Sequence, residues 1–189
     1  TDAGSQGWDI NGAANWNGGG LHVSHDYGYG LIDAYIAVRL AETWELTSTQ
    51  TNLAKVSASS SPALVIQDNA TISDTITISS GVMIDHIEVD LDLTHTWIGD
   101  LVVSLTSPDN TTSILVNRPG VGPFSIWGTS QDDIDFTLSS THHWGETGAG
   151  TWTLAVSDFE TGDQGIFNSW TLRLLGDAIN SDDTYIYTD

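Results

Sequence analysis

Leu101, Val103 and Leu105 fall on one face of an extended segment, and Trp152, Leu154 and Val156 do the same about fifty residues later. Each run follows a Gly-containing, acidic turn segment, Gly99-Asp100 in the first case and Gly145 to Gly150 with Glu146 in the second. Large apolar residues at period two, set off by turn formers, describe antiparallel strands with one face buried. The same pattern predicts strands over 63–67, 71–79, 84–93, 101–106, 112–116, 133–138, 151–157 and 167–175, with turns such as 107–110 and 161–165 between them. Short strands with no helix between them imply a jelly-roll-like antiparallel β-sandwich of about eight strands.

Ahead of this all-β region the pattern changes. Ile32, Tyr35, Ile36, Leu40 and Trp44 recur at three- and four-residue steps, so 31–44 is expected to be the single good helix. Asp33 falls in its first turn, where a negative charge suits the helix dipole. Residues 45–62 are rich in Ser and Thr and end at Pro62, which reads as a connector with a module boundary near residue 50. The organisation expected is therefore a loop and helix over 1–49, the sandwich over 50–176, and a polar tail over 177–189.

Ser24, His25, Tyr27, Gly28, Tyr29, Gly30, Leu31, Ile32, Asp33 and Ala34 are similar to the segment that leads into the last helix of the catalytic domain in the kexin- and furin-like family of subtilisin proteases. His95-Thr96, Gly99-Asp100-Leu101, Ser107-Pro108, Trp144-Gly145-Glu146, Gly150 to Leu154, Asp158, Gly165 and Trp170 resemble its P domain, the β-rich module that follows. The resemblance implies a non-catalytic fragment of a secreted protease. Its partner would be the catalytic domain of the same polypeptide, which the P domain packs on, stabilises and tunes in calcium and pH dependence. Self-association through the orphaned N-terminal helix is a further expectation.

No triad is legible in the chain itself. A subtilisin-like nucleophile needs its Ser polarised by an imidazole beside an oxyanion hole. Gly128-Thr129-Ser130 lacks the proline that the family places after this motif, and it lies inside the β region. Among metals, Ca²⁺ takes six to eight oxygen ligands. The acidic loop Asp158, Glu160, Asp163 is the candidate cage, with Asp100, Asp132, Asp133 and Asp135 as contributors from neighbouring loops. A Zn²⁺ site at His142-His143 with Glu146 is disfavoured, since adjacent strand residues point to opposite faces.

Charge sets further limits. Four Lys and Arg against 25 Asp and Glu give a net charge of −21, which repels nucleic acid and anionic membrane surfaces alike. No apolar run is long enough for a membrane-spanning helix. The acidity and the lack of Cys suggest an extracellular, bacterial setting. A rival class is a binding module that uses Trp97, Trp127 and Trp144 as an aromatic platform for carbohydrate or protein.

Overall fold

The computed structural model describes residues 15–26, 28–42, 49 and 51–179. Two short strands, β1 (Asn15–Trp16) and β2 (His22–Val23), form a small antiparallel ribbon ahead of helix α1 (Ala34–Ala41). Nine strands follow: β3 (Ala54–Ser60), β4 (Leu64–Ile66), β5 (Thr71–Ile78), β6 (Val82–His95), β7 (Leu101–Thr106), β8 (Thr112–Asn117), β9 (Ile134–Ser140), β10 (Gly150–Asp158) and β11 (Gly165–Ala178). They build two antiparallel sheets, ordered β5-β10-β7-β8 and β3-β11-β6-β9, with β4 also paired to β11.

The alternating residues form the core between the sheets. Leu101, Val103 and Leu105 meet Trp152, Leu154 and Val156 across one sheet, and Ile87, Val89, Leu91, Leu172 and Leu174 face them from the other. Trp152 and Trp170 are almost completely buried, and both bury their indole N–H groups with partners. Trp152 Nε1 donates to Gly148 O at 2.8 Å, and Trp170 Nε1 to the Asp74 carboxylate at 2.8 Å.

Three boundaries differ from the sequence reading. The stretch read as a connector contains β3, which pairs with β11 from Ala54↔Gly176 to Ser60↔Trp170. Its inward residues are Ala54, Val56 and Ala58, too small and too flanked by Ser to register as a strand pattern. The expected tail from 177 begins two residues later, because Asp177 and Ala178 still pair with Met83 and Val82. Helix α1 starts at Ala34, since Asp33 is its N-cap: the Ile36 N–H donates to Asp33 Oδ1 at 3.0 Å. Expectations for residues 1–14 and for the helix beyond 42 lie outside the described residues.

Helix α1 buries none of its side chains. Tyr35, Ile36, Val38 and Leu40 are more than half exposed, as are Leu31 and Ile32 just before it. The helix thus presents a largely exposed apolar surface.

Candidate functional site: a clasp between the N-terminal segment and the sandwich

The N-terminal segment is joined to the sandwich by a turn at residues 142–145, between β9 and β10. This region was expected to lead straight into a strand. It folds back instead, which brings His143 and Glu146 to the same side, with Nδ1 to Oε2 at 3.6 Å and both side chains fully buried. The His143 ring meets Trp152 edge-on at 4.9 Å between centroids, so this pair stands on the core itself.

Glu146 also reaches outward. Its Oε1 accepts from the Gly18 N–H at 3.0 Å, and Thr111 Oγ1 shares that donor. Burial pushes the Glu146 carboxyl up, but bonds from His143, Thr111 and Ser107 outweigh it and hold it below the usual range. Asn17 bridges the same turn. Its side-chain N–H₂ donates to His142 O at 3.1 Å and Trp144 O at 2.7 Å, while its Oδ1 accepts from Leu21 N at 2.9 Å. All of the amide's polar atoms are therefore used, and Asn17 is buried. A Cβ on Gly19 would lie 2.6 Å from Trp144 O, so only glycine permits this approach.

Further along the segment, the Tyr29 hydroxyl donates to Thr141 O and its ring meets Trp144 edge-on at 5.4 Å. Burial pushes the Tyr29 phenol up to about 12. His25 Nε2 accepts from the Ile114 N–H at 2.8 Å, and its ring lies 4.1 Å from that of His142. The contact sits on an open cleft of about 520 Å³ between the β8 and β9 edges, lined by His86, Ser113, Ile114, Ser140 and His142.

The opposite end of the sandwich holds the expected calcium residues. His95 Nε2 and Asp158 Oδ2 lie 3.3 Å apart with both side chains fully buried. Asp158 Oδ1 accepts from the Glu160 N–H, Asp133 Oδ1 from the His95 N–H at 2.9 Å, and Asp163 Oδ1 from the Thr96 hydroxyl. Arg118 lies 2.8 Å from Glu160 and 3.9 Å from Asp100. Burial raises the Asp100 carboxyl, the charges of Asp158 and Asp163 raise it further, and Arg118 opposes them. Asp132 is exposed. Asp133, Asp158 and Asp163 thus answer protein donors. Among the described residues, no group of three or more His, Asp or Glu is arranged to hold a metal ion.

Gly128 and Thr129 serve the turn architecture here: Gly99 N donates to Thr129 O, and Thr129 N to Pro119 O. The three tryptophans of the rival reading do not share a platform. Trp97 gives its indole N–H to Trp127 O at this end, whereas Trp144 lies against Tyr29 at the other.

Residues 84–174 match the proprotein convertase P-domain family. The chain carries a proprotein convertase P domain. It is 32% identical to kexin of Saccharomyces cerevisiae, over 87% of this chain and 20% of that protein. It is 34% identical to human proprotein convertase subtilisin/kexin type 4, over 88% and 22% respectively. The chain thus spans about a fifth of the curated relatives it matches. The crystal structure of a serine protease of Aeromonas sobria superposes with a TM-score of 0.69 at 26% identity, covering 86% of this chain and 33% of that one. These likenesses extend well outside residues 84–174. No described helix is long and apolar enough to cross a membrane.

Proposed function

We propose that this chain is the non-catalytic end of a subtilisin/kexin-like serine endopeptidase, and that its P domain holds the last segment of the catalytic domain in place. The observation that carries this is the clasp. Asn17, Gly18, His25 and Tyr29 are bound through backbone and side-chain hydrogen bonds to the 141–146 turn and the β8 edge. They then hand the chain to a helix whose apolar residues are exposed. A catalytic domain packed on α1 would cover that surface, and the short connection gives the two parts a high effective concentration. Stabilisation of the enzyme follows from mass action, because the P domain binds only the folded form. We place the parent outside the cell and, on composition, in a bacterium.

In the parent protease, deletion of the P domain is expected to abolish secreted activity. The Asn17→Ala variant should shorten the half-life of activity at elevated temperature without changing KM. A P-domain deletion that leaves yield and thermal half-life intact would refute the reading. In the isolated chain the exposed face of α1 favours self-association. Sedimentation should then show a dimer that Ile36→Glu abolishes.

A further inference from the structure

We propose that His25 and His142 form an acid-released latch, which docks the N-terminal segment on the P domain near neutral pH and frees it as the imidazoles protonate. The geometry requires one protonation state. His25 Nε2 accepts the Ile114 N–H, which only a neutral ring with its proton on Nδ1 can do. The His142 ring is packed on His25 at 4.1 Å, and its Nε2 is buried with no hydrogen-bond partner. A proton on either ring therefore costs twice. It removes the acceptor or charges a buried nitrogen, and it sets a cation against a second imidazole.

The surroundings do little to neutralise such a charge. On the segment itself, Asp26 is the one group that favours a proton on His25, against the larger opposing effect of burial. From the turn, His143 adds a like charge near His142, and Glu146 is already committed to His143 and Gly18. From β6, Asp85 lines the same cleft but is paired to His86 at 2.8 Å. Strand β8 has no titratable residue, and β9 has only Asp135, at its far end beside Asp92. The Tyr29 phenol is neutral throughout.

The sign follows directly. Burial, then the charges of His25 and His143, push His142 down from 6.5 to about 4, and burial lowers His25 as well. A released segment binds these protons more readily than a docked one, so docking is complete above the free imidazole value and weakens as pH falls from there toward 4. Only the part of the His142 shift that docking causes is relieved on release, because His143 acts on it in either state. Partial exposure reduces it further, so about 10-fold is the largest release expected by pH 5.

The consequence for a catalytic domain rests on the proposed function, but the latch is tested in the 189-residue chain alone, so either can fail separately. The readout is amide exchange at Ile114, expressed as protection relative to the unfolded-chain rate. Between about pH 7.5 and 5.0, protection at Ile114 should fall ~10-fold while that of core amides such as Leu154 stays constant. In His25→Gln the side-chain carbonyl accepts from Ile114 at any pH, and in His142→Phe the ring contact persists without charge. The double variant should lose the pH response. Constant Ile114 protection in the wild type, or an undiminished fall in the double variant, would overturn the proposal. If the double variant misfolds, the wild-type profile and His142→Phe alone still decide it.

Discussion

Each end of the sandwich buries one histidine against one carboxylate, His95 with Asp158 and His143 with Glu146, and the two pairs are put to different uses. The His95 pair is closed on itself, since its neighbours Asp133, Glu160, Thr96 and Arg118 all belong to the P-domain loops. The His143 pair has one open valence. Glu146 Oε1 takes a backbone N–H from a segment 128 residues earlier in the chain. Two sites of similar chemistry thus separate holding a domain together from holding a second part of the protein to it.

Breaking either pair is the largest effect expected. Removing one partner leaves a buried polar group without compensation, which costs about 1–3 kcal/mol. Asp158→Ala and Glu146→Ala should therefore both lower the denaturation midpoint of the sandwich. Only Glu146→Ala should also abolish protection of the Gly18 amide under native conditions. Loss of the clasp in Asp158→Ala to the same degree would erase the distinction between the ends.

A smaller effect isolates the clasp. Asn17→Ala deletes two hydrogen bonds to the turn and one that shapes the segment's own loop. About 1–2 kcal/mol of docking should be lost. Global unfolding should barely change, because the core strands make no use of Asn17. Limited proteolysis of residues 15–30 at neutral pH reads the first quantity and a denaturant melt the second.

The two ends should also answer acid with opposite signs. The Glu146 carboxyl is lowered on folding, so its contribution is present above the unfolded value of 4.5 and is lost as pH falls through its folded value. The Asp100 carboxyl is raised, so its ionisation opposes folding, and that cost is relieved as pH falls. Asp100→Asn should raise stability at pH 7. Glu146→Gln should lower it at pH 7 and flatten the acid limb of the melting profile. The same sign for both variants at pH 7 would contradict the assignment.

The sandwich was far more legible than these sites. Large alternating side chains in β7 and β10 mark strands at once, because they fill the core. Strand β3 escaped for the inverse reason: Ala54 and Ala58 bury little area and look like linker. Asp158 stood out as an acidic loop residue, yet its partner His95 lies far away in sequence, and no local pattern joins them. The latch was equally hidden, since His25 and Ile114 are 89 residues apart and an edge-strand N–H leaves no mark on composition. The spacing of His143 and Glu146, three residues in a turn, was the one readable clue, and reading that stretch as a strand concealed it.

The smallest effect concerns calcium: the described residues form no ready-made metal site, so we propose that Asp100, Asp158 and Asp163 take the ion only weakly and in competition with Arg118. The guanidinium already lies close to Glu160 and Asp100, and its Nε donates to Gly99 O at 3.3 Å, so an added cation must displace it. Millimolar Ca²⁺ is expected to raise the wild-type midpoint by about 1 °C or less. In Arg118→Ala the carboxylates lose their cation, the midpoint should drop in chelator, and calcium should recover several degrees of it. Equal curves with and without chelator in both proteins would remove calcium from this end. Arg118 would then be the cation set against the acid excess at this end.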